Sequence, residues 1–95
     1  MPMPSTVTDN AAMSRYELAV EGGTAFANYR REGNTLVIPY VEAPVALRGQ
    51  GVAGRLMEGV VAIARAEGWT IRPLCSYAAA WMRRHPEHHD LLAGK

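Results

Sequence analysis

The sequence predicts an α/β fold of the α+β type, in which an antiparallel β-meander is continued by one parallel strand and carries two helices. Three consecutive segments alternate apolar and polar residues, an amphipathic helical segment follows, and a short apolar strand then precedes a second helix. The turns between the first three segments are too short for crossovers, so these strands must be antiparallel. The order strand, helix, strand then implies a right-handed crossover and parallel pairing.

The three meander strands are predicted in the segments RYELAV, TAFANYRR and TLVIPYVEA. In the first, Tyr16, Leu18 and Val20 alternate with residues suited to an exposed face, and Gly22 begins the turn that follows. The third is rich in β-branched residues, which favour strands. Pro39 interrupts it, and because proline cannot donate to a ladder, we expect a bulge or an unpaired edge there.

Two helices are predicted after the meander. The segment GVAGRLMEGVVAIARAEG predicts a helix of about 16 residues, with Val52 and Leu56 on its apolar face and Gly68 as its C-cap. The segment WTIRPLC predicts a short strand. The segment SYAAAWMRRH predicts the second helix, with Ser76 as its N-cap and Pro86 beyond its end.

Length, charge and cysteine content bound the class of protein. The 95 residues make one domain, with a flexible tail predicted over Met1–Met13 and the folded domain over residues 14–93. A net charge of +1 argues against nucleic acid and anionic membranes as partners. Cys75 is the only cysteine, which excludes an internal disulfide and favours a reducing compartment. With no spanning run and no signal-peptide pattern, we expect a cytoplasmic protein.

The stretch LRGQGVAGRL places glycines at the start of the first helix. Glycine costs about 1 kcal/mol of helix stability relative to alanine, so we expect the glycines at this position to serve a purpose other than helix stability. The first amides of a helix lack internal partners and carry the positive end of its dipole, and glycine lets a phosphate approach them. Arg48 adds a positive charge. The stretch therefore predicts a pyrophosphate cradle, although it is neither a P-loop nor a dinucleotide fingerprint.

Arg48, Gly51 and Ala53 match the (Gln/Arg)-x-x-Gly-x-(Gly/Ala) signature of the GNAT acetyltransferases. From about Ser14 to Leu92 the chain resembles the small YjdJ-like branch of that superfamily, most clearly in the segments VEAPVALRGQG, PLCSY and RHPE. The resemblance implies a minimal GNAT fold, in which the third strand splays from its parallel neighbour and leaves a cofactor cleft. It also implies an N-acetyltransferase that uses acetyl-CoA and acts on an unidentified amine.

The same resemblance implies which residues bind coenzyme A. The pyrophosphate would lie on the amides at the start of the first helix, with the acyl arm beside the splayed strand. The implied cofactor-binding residues are Val45, Arg48, Gly49, Gln50, Gly51, Val52, Ala53 and Gly54.

Acetyl transfer is the attack of a neutral amine on a thioester, and it needs a base, an oxyanion site and an acid for the thiolate. Glu42, at the end of the splayed strand, is the candidate base, or else an ordinary solvated carboxylate. The resemblance also implies that Tyr77, just past the following strand, is the acid, and the alternative is a packing aromatic. Cys75 is either an acetyl acceptor in a two-step path or a small residue that lines the pocket. Where the branch often has a His-Thr pair, this chain has Tyr40 and Val41.

No metal site is predicted from the histidines. His85, His88 and His89 have suitable spacing for a helix face, but Pro86 breaks the helix that would present them. His85 is better explained as a residue at a helix C-terminus, where a cation is favoured.

Three functions are compatible with these features. The first is an N-acetyltransferase, and the second is a CoA or acyl-CoA binding module without its own acceptor chemistry. The third is an interaction domain without a ligand, against which the glycine turn argues. Relative to larger GNAT enzymes, the sequence offers the cofactor half and very little of the acceptor half, which those enzymes build from a helix pair and two last strands. We expect a monomer or a weak homodimer.

Overall fold

The computed structural model describes residues 7–47, 49 and 51–93, which form one five-stranded sheet with two α-helices and short 3-10 turns. The strands are β1 (Val7–Asn10), β2 (Arg15–Val20), β3 (Gly23–Glu32), β4 (Thr35–Glu42) and β5 (Thr70–Pro73). The helices are α1 (Val52–Glu67) and α2 (Ser76–Arg83). Strands β1 to β4 are antiparallel in sequence order, and β5 is parallel to β4. The predicted meander, parallel strand and two helices are confirmed.

The flexible tail predicted at the N-terminus is wrong for residues 7–13. Strand β1 extends the meander by one strand, and Val7 stands opposite Leu18 of β2. A 3-10 turn follows, at which the side chain of Asn10 accepts from the backbone N–H of Met13 at 3.3 Å. The strand gains its stability from pairing with β2, which composition alone does not reveal. Residues Met1–Thr6 lie outside the described part of the chain.

Strand β1 also packs directly on α1, through Val7 and Gly59. A Cβ at Gly59 would lie 2.2 Å from Cγ2 of Val7 and 2.7 Å from its Cβ. We therefore expect Gly59→Ala to lower the free energy of unfolding by about 1–3 kcal/mol, because overpacking outweighs the helix propensity gained. Urea unfolding at equilibrium measures this change.

A glycine in the same helix supplies the control for that substitution. A Cβ at Gly54 would meet no atom closer than 3.6 Å. Gly54→Ala should therefore raise the free energy of unfolding, by up to about 1 kcal/mol. Equal stabilisation by both alanines would show that β1 does not pack on α1 in solution.

The hydrophobic core lies between the helices and one face of the sheet. The inward side chains of the strands are Tyr16, Leu18, Ala25, Ala27, Leu36, Ile38 and Ile71. The buried side chains of the helices are Val52, Leu56, Met57, Val60, Val61, Ala64, Ala78, Trp81 and Met82. Helix α1 ends at Gly68, which has a φ of 78° and caps the helix as predicted. Among the described residues, no helix is long and apolar enough to cross a membrane.

Helix α2 begins one residue earlier than the predicted cap requires. Its N-cap is Cys75, in an extended conformation with φ −68° and ψ 137°, and its first residue is Ser76. The Cys75 carbonyl accepts from the backbone N–H of Ala79 at 2.9 Å, so Ser76 as N-cap is wrong. At the other end, Nδ1 of His85 lies 2.7 Å from the carbonyl oxygen of Trp81, which agrees with the role predicted for that histidine.

Strand β4 carries a bulge at residues 38–39. The ladder with β3 pairs Val37 with Arg30 and Tyr40 with Asn28, so two residues of β4 stand opposite a single residue of β3. Proline has no N–H to donate, and a bulge is one of the few places where a strand tolerates it. The interruption predicted at this proline is confirmed.

The bulge reverses the faces to which later side chains of β4 point, because strand side chains alternate. Beyond it, Val41 and Ala43 pack against the helical core. Tyr40 and Glu42 lie on the opposite side of the sheet, where the Tyr40 ring contacts that of Phe26. We call this side, which carries Arg15, Glu17, Phe26, Asn28, Tyr40 and Glu42, the outer face.

Candidate functional site

Strands β4 and β5 separate after Ile38. Their parallel ladder ends where Ile38 pairs with Pro73, and the backbone N–H groups of Leu74 and Cys75 both donate to the Ile38 carbonyl, at 3.0 and 3.1 Å. Beyond this point β4 continues to Glu42, whereas the other segment turns into α2. The predicted splay of the two strands is confirmed.

A cavity of about 370 Å³ opens where the strands separate. Its walls come from the end of β4, the glycine turn with the first turn of α1, and the first turn of α2. The lining residues are Tyr40, Val41, Glu42, Ala43, Gly49, Gly51, Val52, Ala53, Gly54 and Tyr77. The volume lies within the usual range of small-molecule sites. The cavity is thus bordered both by β4 residues that carry side-chain oxygens and by the N-terminus of α1.

The glycine turn enters α1 through two residues with left-handed backbone conformations. Gly49 has a φ of 85° and Gly51 a φ of 76°, which L-residues with a Cβ rarely adopt. A Cβ on either would meet nothing within 4 Å, so backbone conformation rather than crowding selects glycine here. Gly51 is the N-cap of α1, without a side chain to bond the first amides of the helix. These amides and the open space beside them suit an anion.

Tyr77 approaches the first turn of α1 at Gly54. A Cβ at Gly54 would lie 3.8 Å from the Tyr77 hydroxyl oxygen and 3.6 Å from Nε1 of Trp81. Burial raises the pKa of Tyr77, and the positive charge of Arg84 opposes this shift. The phenol is therefore protonated at neutral pH and has a proton to donate.

Glu42 and Tyr40 form a pair on the β4 wall of the cavity. The Tyr40 hydroxyl donates a hydrogen bond to Oε1 of Glu42. Glu42 is half-buried, and Tyr40 is 46% exposed. Tyr40 is a cavity residue that the sequence does not single out. Its signals are the spacing of two from Glu42 along a strand, which puts both side chains on one face, and its position where the resemblance leads one to expect a His-Thr pair.

The remaining predicted site residues lie elsewhere or outside the described part of the chain. Cys75 is half-buried against the core and is not among the residues that line the cavity. Val45 is 74% exposed and likewise does not line it. Arg48 and Gln50 lie outside the described residues. The structure therefore brings Glu42, Tyr77 and the backbone of the glycine turn together without Cys75 or Val45.

A separate cluster of charged side chains joins the segment after α2 to α1. Glu58, Glu87 and His88 each place one potential ligand atom within 4.8 Å of the others, and both glutamates are exposed. Nε2 of His88 lies 3.3 Å from Oε1 of Glu58, and Arg65 pairs with Asp90 at 2.9 Å. These contacts attach the segment to α1, which accounts for the cluster as a structural feature.

Known proteins share this fold. A family model described as GCN5-related N-acetyl-transferase matches residues 15–91. A solution NMR structure of a GCN5-like candidate N-acetyltransferase from Staphylococcus aureus matches with a TM-score of 0.69 and 18% identity. That match covers 99% of this chain and 93% of the other, and at this identity it shows the fold. No curated protein matches the sequence significantly.

Proposed function

The chain belongs to the GCN5-related N-acetyltransferase family, and on this basis we propose that it transfers an acetyl group from acetyl-CoA to an amine. The observation that carries the proposal is the cavity at the separation of β4 and β5, which has a carboxylate on one wall and helix amides on another. Such a site offers a base for an ammonium group and a cradle for a phosphate anion.

The residues around the glycine turn fit the pyrophosphate of coenzyme A. A Cβ at Gly49 or Gly51 would meet open space, so an anion can approach the first amides of α1 without a steric conflict. The helix dipole favours a negative charge at this end. We assign the pyrophosphate to the amides of Gly51, Val52 and Ala53, with Arg48 as a source of positive charge.

The chemistry that we propose is a direct transfer. Glu42 accepts a proton from the acceptor ammonium, and the resulting amine forms a bond to the acetyl carbon as the C–S bond of the thioester breaks. Tyr77 donates its phenolic proton to the departing thiolate, the acylated nitrogen then gives its second proton back to the Tyr77 phenolate through solvent, and Glu42 releases the first proton to solvent. We assign Cys75 a packing role, supported by its contacts with the core and its absence from the cavity lining.

A matched set of variants tests the phosphate cradle. Ala53→Glu places a carboxylate in the first turn of α1 and should weaken binding of acetyl-CoA and CoA more than tenfold, measured by isothermal calorimetry. Ala53→Gln has nearly the same size without the charge, so the difference between the two isolates charge repulsion. A carboxylate in the first turn stabilises a helix, so unfolding would not explain the loss.

A second carboxylate on the same helix provides the control. Ala62 is exposed in the middle of α1, away from the cavity, and Ala62→Glu should leave the affinity unchanged. Equal affinities of Ala53→Glu and the wild type would refute the cradle. A wild-type protein that binds neither acetyl-CoA nor CoA would contradict the proposed function itself.

A second candidate is a CoA or acyl-CoA binding module without its own acceptor chemistry. It is favoured by the exposure of the outer face beside Glu42, where Tyr40 is 46% exposed. Binding of acetyl-CoA without thioester cleavage, across a panel of amines, would identify this alternative.

A further inference from the structure

A row of side chains crosses the outer face and ends at Glu42. Nε of Arg15 donates to Oε2 of Glu17 at 2.7 Å, and the Arg15 guanidinium lies 4.5 Å from the centroid of the Phe26 ring. The Phe26 ring contacts that of Tyr40, with centroids 6.1 Å apart and planes tilted by 51°. The Tyr40 hydroxyl then donates to Glu42. We call these five residues the outer-face row.

Strand pairing holds this row in register across three strands. Phe26 stands directly opposite Glu42, and Asn28 stands opposite both Arg15 and Tyr40. Arg15 and Tyr40 are therefore the diagonal neighbours of Phe26, a separation that aromatic and long side chains can bridge. The tilted ring pair and the cation above the ring are both favourable geometries. The Tyr40 ring thus has a fixed orientation although almost half of it is exposed.

The hydrogen bond from Tyr40 uses one side of the Glu42 carboxylate. An ionised carboxylate has two oxygens and accepts several hydrogen bonds, so the second oxygen remains able to receive a proton from an ammonium group. A glutamate near the surface otherwise samples many rotamers, and each unproductive rotamer lowers the fraction of the protein ready to react. A partner that restricts Glu42 therefore raises turnover without touching coenzyme A.

We infer that Tyr40 is a positioning residue for the acetyl transfer, which holds the Glu42 carboxylate in the cavity wall by a hydrogen bond. The inference rests on the proposed function. It assigns to Tyr40 no proton transfer and no contact with acetyl-CoA. The bulge at residues 38–39 is what turns Tyr40 and Glu42 together onto the outer face.

The test is Tyr40→Phe, which removes the hydroxyl and keeps the ring that packs on Phe26. Turnover is followed as cleavage of the acetyl-CoA thioester in the presence of an amine that the wild type accepts. We expect kcat to fall about tenfold, an order-of-magnitude loss for a misplaced catalytic group. The KM for acetyl-CoA and the affinity for CoA should not change. An unchanged kcat, or a loss that appears in KM alone, overturns the inference.

A double-variant cycle separates positioning from a structural effect. In a Glu42→Gln background, Tyr40→Phe should cause no further loss, because a positioning residue acts only through the group that it positions. A tenfold loss in both backgrounds would show that Tyr40 acts independently of Glu42 and would overturn the inference.

Tyr29 offers a matched control within the same sheet. Its hydroxyl also donates to a carboxylate, Oδ1 of Asp9 at 2.6 Å, but neither residue lines the cavity. Tyr29→Phe should leave kcat unchanged. A wild type inactive with every amine would remove the proposed function and this inference with it. The other case is an active wild type whose activity falls in Glu42→Gln but is unchanged in Tyr40→Phe. That result would overturn this inference and leave the proposed function standing.

Discussion

Replacement of Glu42 by glutamine is expected to lower kcat for acetyl transfer by about 10²- to 10⁴-fold, the range typical for loss of a general base. The amide keeps the size of the side chain and can still accept a hydrogen bond from Tyr40. It cannot take the proton of an ammonium group, so the acceptor remains unreactive. Steady-state thioester cleavage measures the loss, and calorimetry with CoA should show unchanged affinity.

A carboxylate remote from the cavity controls for the general effect of removing a charge. Glu32 lies at the end of β3, where it pairs with Arg30 at the surface at 2.8 Å. Glu32→Gln should leave kcat as in the wild type. Equal turnover of Glu42→Gln and the wild type would mean that another group, or solvent, accepts the proton.

Deletion of Pro39 is expected to remove both the activity and a large part of the stability. Without one bulge residue, the rest of β4 shifts by one position and each later side chain changes face. Glu42 would then turn toward the apolar core, where an unpaired carboxylate costs several kcal/mol. Urea unfolding and thioester cleavage measure the two losses.

Substitution at the same position separates the bulge from the proline. Pro39→Ala keeps the number of residues and restores a backbone N–H, so we expect its free energy of unfolding to stay within about 1 kcal/mol of the wild type. If the deletion variant retained wild-type stability and turnover, the faces of β4 would not depend on the bulge.

Most elements of the fold follow from local patterns in the sequence. The alternation around Tyr16 and Leu18 and the spacing of Val52 and Leu56 both match the buried faces seen in the structure. These patterns suffice because each element buries one face, so the period of its apolar residues reports the element type. Strand β1 is the exception. It is four residues long, and its stability comes from β2 and from α1 rather than from its own alternation.

One part of the candidate site can likewise be predicted from local sequence, and another part depends on the tertiary structure. The glycine turn is predictable because the chemistry of helix amides and of left-handed residues is local to Gly49 and Gly51. The roles expected of Cys75 and Val45 depended on where the chain leaves β5 and β4. The start of α2 and the exposed turn after β4 leave both residues outside the cavity lining.

The sequence by itself determined the meander, the parallel strand, the helices and the glycine turn that opens α1, because each depends on neighbours within a few positions along the chain. The tertiary structure alone decided which face Glu42 occupies. Simple alternation along β4 would have placed Tyr40 and Glu42 with Leu36 and Ile38 in the core. Pairing of two β4 residues with one β3 residue moves them to the outer face, and that register depends on contacts between strands.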